Sequence, residues 1–223
     1  MSGGQDLTDG QAVLRRVSAV GGFFAVTPGP RPPAGFRPVA ELRGAVFLRE
    51  RIADVARRMG TAEPRVAASA AQLGAAARLW SVGLGTAVLG GVVPDLAGAY
   101  WRLVPGSMLE LWVPGVRGPG PAGLAAELYL ELVEGQLRPF NEAVRRVTPV
   151  AEGLLWGNAA SALAGAVKVL GGGRELAAEL HAVGPLRGAL RADGRRTSCC
   201  LYYRAPGAGL CGDCVFERPP RRR

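Results

Sequence analysis

A chain of 223 residues, 48% hydrophobic and 20% charged, is long enough to bury a sizeable core and too apolar to be disordered or fibrous. Its formal charge of +9 invites a nucleic-acid reading, but all but one of its 27 basic residues are arginine. Most fall singly on solvated helix faces, as Arg49, Arg51, Arg57 and Arg58 do, and without a basic stripe interleaved with aromatics no nucleic-acid partner is expected. Residues 1–9 have neither the basic start nor the apolar run of a secretory signal, so the expected location is the cytoplasm.

Helical signals dominate the chain. Thr8 or Asp9 is placed to cap a first helix bearing Val13, Val17, Val20 and Phe24, which the proline-rich loop 27–38 ends. Ala45, Leu48, Ile52, Val55 and Met59 recur at steps of three and four, giving a second helix that stops at Gly60. An alanine-rich third helix is expected over 63–78. The uncharged run 79–94 falls short of the ~20 apolar residues of a membrane span and carries four glycines, so it reads as buried core. A position close to a membrane is compatible with this, a span is not.

Residues 99–115 pair two aromatic and β-branched runs about Pro105, Gly106 and Ser107, the pattern of a β-hairpin. After a Gly/Pro loop over 115–123, Leu124, Leu128 and Leu132 start a helix that Pro139 should kink or divide. A further helix covers roughly 150–170 until the triple glycine 171–173 ends it, and Leu176, Leu180 and Val183 mark a last one. The expected fold is mainly α: a helical domain over 1–193 with one β-hairpin, a small loop-rich C-terminal segment over 194–217, and a disordered basic tail over 218–223.

That segment holds every thiol of the chain, Cys199, Cys200, Cys211 and Cys214, in the spacing C-C-x10-C-x2-C. A C-x2-C pair turns tightly enough to offer both sulfurs to one metal, and Gly212 between them lets the backbone approach. Adjacent cysteines are different, because on extended backbone they point to opposite sides, so Cys199 and Cys200 must sit at a bend or reach two metal atoms. A [2Fe-2S] cluster relaxes that conflict, each iron taking two thiolates. Structural zinc stays open as the other metal reading, although zinc ribbons generally use two C-x2-4-C knuckles. A vicinal disulfide is strained and disfavoured in a reducing compartment.

The stretch Arg196-Thr197-Ser198-Cys199-Cys200-Leu201-Tyr202-Tyr203-Arg204, followed by Cys211-Gly212-Asp213-Cys214, resembles the C-terminal [2Fe-2S] motif of FhuF-type ferric-siderophore reductases. "PRVAASAAQLGAAARLW" (64–80) and "LLWGNAASALAGAVKVL" (154–170) are similar to helical stretches of that family, extending the likeness over the last two thirds of the chain. The resemblance implies that Cys199, Cys200, Cys211 and Cys214 ligate a [2Fe-2S] cluster. It also implies one-electron reduction of ferric iron held by a cytoplasmic siderophore, often a hydroxamate. A redox sensor built on the same cluster, and a zinc-stabilised interaction module, are the other readings.

Arg195, Arg196, Arg204 and Arg218 lie close to the cysteines in sequence, and Arg196 and Arg204 are candidates for tuning the cluster or attracting substrate. Asn158, polar within an apolar helix, is a candidate for orienting the segment or contacting substrate; Gly157, Ser161 and Gly165 around it form a smooth stripe suited to close packing. His181, the one histidine, falls near a helix C-terminus, where a cap or an exposed residue is the expected role. Neither "GLGTAVLGG" (83–91) nor any other run has the context of a nucleotide-binding loop. A reductase of this sequence would therefore draw electrons from an external donor, such as a ferredoxin or a reduced flavin.

Overall fold

The computed structural model describes residues 3–104 and 108–220. Pro105, Gly106 and Ser107 of the expected hairpin turn, and Arg221, Arg222 and Arg223 of the expected tail, lie outside the described residues. The chain runs through α1 (Gly3–Ala19), β1 (Val26–Thr27), β2 (Arg37–Pro38), α2 (Ala45–Met59), α3 (Pro64–Gly90), β3 (Val93–Pro94), β4 (Tyr100–Val104), β5 (Met108–Trp112) and β6 (Val116–Arg117). It continues through α4 (Leu124–Tyr129), α5 (Arg138–Val147), α6 (Glu152–Leu170) and α7 (Arg174–His181).

α1 buries Leu14 and Val17. It begins upstream of the expected cap, so Thr8 and Asp9 lie inside the helix rather than at its start. Phe24, expected on the same face, sits in the tight turn Gly22–Phe24 beyond the helix and is buried from there. α2 turns Leu48, Ile52 and Val55 inward and ends at Gly60, whose φ of +62° suits a residue without a side chain.

Glycine content made 79–94 read as separate from the helix before it, yet α3 is one continuous helix of 27 residues. Its second half is glycine-bearing because neighbours press against it. A Cβ on Gly83 would come within 2.7 Å of Leu132, on Gly85 within 2.9 Å of Val17, and on Gly90 within 2.7 Å of Val13. Each glycine costs about 1 kcal/mol of helix propensity, and the close approach it permits offsets that. Arg78, buried on the same helix, donates to the carbonyls of Leu109 at 2.7 Å and Phe23, tying the helix to the sheet. Burial pulls its pKa down to about 10, still charged at neutral pH.

α3 makes its most extensive contact with α6. Both are long and apolar enough to cross a membrane, but 61% and 56% of their most apolar windows are buried inside the fold. The expected hairpin is present as β4 and β5, antiparallel, with buried Trp101 opposite buried Leu111. It is flanked by β2 and by β1, the latter parallel to β5, giving the order β1-β5-β4-β2, while β3 pairs with β6 inside the expected 115–123 loop. Those added strands are two residues each, too short to leave an alternation in sequence.

Pro139 neither breaks nor ends its helix. The stretch from α4 to α5 is joined by a π-wound segment, Leu130–Leu137, in which the Arg138 N–H bonds to the Val133 carbonyl five residues back. The wider winding ends as proline enters the first turn of α5, where its missing N–H costs little. α6 ends at Gly171, φ +70°, as the triple glycine requires. The fold is mainly α, with a small sheet.

Candidate metal centre

Beyond α7 the backbone doubles back over α6. Gly194, φ +81°, makes the bend, and Asp193 and Arg191 close it by accepting from or bonding to the Arg195 backbone. Thr197 then donates its N–H to the Ala189 carbonyl at 3.0 Å, and Ser198 seats its hydroxyl on the Gly153 carbonyl at 2.8 Å. Gly157 faces that hydroxyl so closely that a Cβ there would collide with it. The glycine of the α6 stripe therefore makes room for the cysteine segment, not for another helix.

The vicinal pair sits at a bend. Leu201, directly after it, has φ +66° and is the only non-glycine residue with positive φ among the described residues. A leucine in this region is strained and is held there by its surroundings. The Leu201 N–H turns back to the Cys199 sulfur at 3.3 Å, and the Phe216 N–H meets the Cys214 sulfur at 3.4 Å in the same i to i+2 relation. Tyr203 and Phe216 close the loop with a T-shaped contact at 5.8 Å.

All four cysteines are free thiols, Cys200 and Cys214 buried, Cys199 and Cys211 half-buried. The sulfurs of Cys200 and Cys211 stand 3.4 Å apart, far beyond a disulfide bond of about 2.05 Å and close enough to share a proton. The hydrogen bond between them pulls Cys200 down and pushes Cys211 up, burial adding to the rise. Burial raises Cys199, against the opposing Leu201 N–H.

Four soft sulfur donors with backbone N–H groups aimed at two of them fit an iron-sulfur cluster, because N–H donors stabilise the negative charge of ligating sulfur. Structural zinc generally takes two C-x2-4-C knuckles, whereas a dinuclear group, which asks for thiolates in pairs, suits one vicinal pair and one C-x2-C pair better.

Arg196 is 2% exposed. Its guanidinium donates to Asp213 Oδ2 at 2.8 Å, to Ser161 Oγ at 2.7 Å and to Asn158 Oδ1, and its backbone N–H bonds the Asp213 carbonyl at 2.9 Å. Asn158, fully buried, donates to the Ser69 carbonyl at 3.0 Å and hydroxyl at 3.1 Å, and Ser69 Oγ donates to the Cys200 carbonyl at 2.7 Å. Buried Arg196 and Asn158 thus face the cysteine segment's anchorage, out of reach of a bulky substrate. Arg204 lies elsewhere, paired with Glu63 at 2.7 Å and raised by that contact, and Arg195 donates to the Cys214 carbonyl at 2.9 Å. His181 ends α7 half-buried, its Nδ1 without a hydrogen-bond partner.

Sequence reasoning missed Ser69 and Asp213. Asp213 lies inside the C-x2-C knuckle and its charge was a visible signal; Ser69 is one small residue in an alanine-rich helix and left none. Beside the segment runs an open groove of about 690 Å³ between α3 and α6, with Phe23, Leu73, Gly165, Val169 and Tyr202 among its walls and no Asp, Glu, Lys, Arg or His.

Residues 196–216 match the FhuF 2Fe-2S C-terminal domain, and Cys199, Cys200, Cys211 and Cys214 fit its motif. That domain indicates a [2Fe-2S] cluster. A comparison with curated proteins returned no match to the chain.

Proposed function

We propose that the protein is a cytoplasmic ferric-siderophore reductase that takes electrons from an external donor, a ferredoxin or a reduced flavin, and passes them singly to chelated ferric iron. The observation that carries this reading is the half-buried four-thiol site within the segment matched to the FhuF 2Fe-2S domain. When bound, a [2Fe-2S] cluster supplies a one-electron carrier. Cys199, Cys200, Cys211 and Cys214 hold it, and the N–H groups of Leu201 and Phe216 offset negative charge on sulfur.

The groove supports a chelate of hydroxamate type. Three singly charged hydroxamates cancel the charge of ferric iron, and a complex with no net charge loses little on entering walls without charged side chains. Tyr202, two positions after Cys200, stands in that wall, so a chelate seated there lies against the cysteine segment. The donor loses one electron and the ferric iron gains it. Hard oxygen ligands hold ferrous iron far less well, so the metal is released with every bond of the chelator intact.

The test uses anaerobically purified protein, reduced with dithionite, desalted, and mixed with a ferric hydroxamate. The expected result is return of the oxidised visible spectrum while a ferrous indicator colours in proportion. A reduced protein that stays reduced would overturn the reductase reading and leave a redox sensor, and a colourless protein carrying stoichiometric zinc would overturn the cluster itself.

A further inference from the structure

We infer that the buried relay Ser69–Asn158–Arg196–Asp213 is a positioning device that fixes the two cysteine pairs relative to each other and sets the reduction potential through one locked charge pair. The inference rests on the [2Fe-2S] reading of the cysteines and is independent of what the cluster reduces.

The relay begins and ends on the metal-binding segment. At one end Ser69 holds the carbonyl of Cys200 itself, and at the other Arg196 holds both the side chain and the carbonyl of Asp213, the residue before Cys214. Asn158 joins the ends, accepting from Arg196 and donating to Ser69. Ser69 and Asn158 belong to α3 and α6, the pair with the most extensive contact in the fold, so the two halves of the motif are referenced to one rigid frame. Ser69, Asn158 and Arg196 are each at most 2% exposed, and removing any partner would leave a buried polar group unmatched.

The charges within the relay are unequal in setting. Arg196 is buried, while the Asp213 side chain is 26% exposed and partly screened by water. A cation held in low dielectric beside the sulfurs favours the more negative, reduced cluster, and the aspartate opposes it. Cation and anion have opposite effects on potential but the same effect on architecture, since either loss breaks the same ion pair. That difference separates tuning from mere support.

The experiment is a redox titration followed by electron paramagnetic resonance on anaerobically purified full-length protein, with no ferric chelate present. Arg196→Gln should lower the potential and Asp213→Asn should raise it, each by roughly tenfold in the reduction equilibrium, or about 59 mV for one electron. Arg196→Lys keeps the charge and loses the fork, so its potential should stay near that of the unmodified protein while its cluster is lost faster on exposure to air. If Arg196→Gln does not load, a raised potential in Asp213→Asn beside an unmoved one in Arg196→Lys still supports the inference. Shifts of the same sign in the Arg196→Gln and Asp213→Asn variants, or an unmoved Asp213→Asn, would overturn it. A protein that fails to reduce ferric hydroxamate but shows these shifts keeps this inference and loses the substrate.

Discussion

The sulfurs of Cys200 and Cys211 lie 3.4 Å apart, a thiol contact that joins one cysteine from each half of the motif. Backbone makes this possible: the left-handed Leu201 turns the chain immediately after the vicinal pair, and the segment folds back until the C-x2-C knuckle reaches it.

Serine in place of Cys199, Cys200, Cys211 or Cys214 should each reduce bound iron and sulfide at least roughly tenfold, since removing a ligand removes binding free energy directly. The helices should remain, because their core contains none of the four cysteines. Iron and sulfide assay beside far-ultraviolet circular dichroism reads both; a normal visible spectrum in one variant would remove that residue from the ligand set.

Gly157→Ala should unseat the segment. The added methyl meets Ser198 Oγ, whereas the Ser198 Cβ lies at an ordinary 3.7 Å. The single variant should cost about 1–3 kcal/mol and lose cluster occupancy, and Gly157→Ala with Ser198→Ala should recover much of it. Urea unfolding of the three variants forms the cycle; a double variant as impaired as Gly157→Ala would refute the contact.

Gly165→Leu tests the groove. Apart from the backbone of its own helix, no atom lies within 4 Å of a Cβ at this position, and leucine favours helix over glycine by up to ~1 kcal/mol, so the protein should be no less stable. Its cluster spectrum should be unchanged while the KM for a ferric hydroxamate rises several-fold. An unaltered KM would place the chelate elsewhere.

His181 makes stability depend on pH in a known direction. Burial holds it below the ordinary imidazole value, about 6.5 in the unfolded chain. Between the two values the unfolded state binds the proton and the native state does not. Its contribution is therefore full above about pH 6.5 and declines as pH falls through that value toward the folded one. Stability relative to His181→Gln, from urea melts between about pH 5 and 8, should fall on the acid side; a constant difference would show His181 to be freely solvated.

Much of the helical layout was legible because α2 and α6 carry their signals locally, in apolar spacing and in Gly60 and Gly171 at their ends. The hairpin showed through the aromatic runs of β4 and β5. α3 was under-read because the reason for its glycines is not in α3 but in Leu132, Val17 and Val13 pressing against it. The spacing of the cysteines marked a candidate metal site but left an iron-sulfur cluster and zinc both open, and only the likeness to the FhuF motif chose between them. Their anchorage left no such mark, since Ser69 meets Cys200 across 131 positions of sequence, and nothing local distinguishes that serine from a filler between alanines.

A lobe fastened by a sunken guanidinium behaves unlike one resting on oily surface. Sliding or half-lifting would strand Arg196 among groups that cannot solvate it, so docking is a matter of fully on or fully off. In the proposed reductase, where tunnelling rates depend steeply on separation, this latch would give every molecule in a population the same gap between the cluster and a chelate against the outer wall.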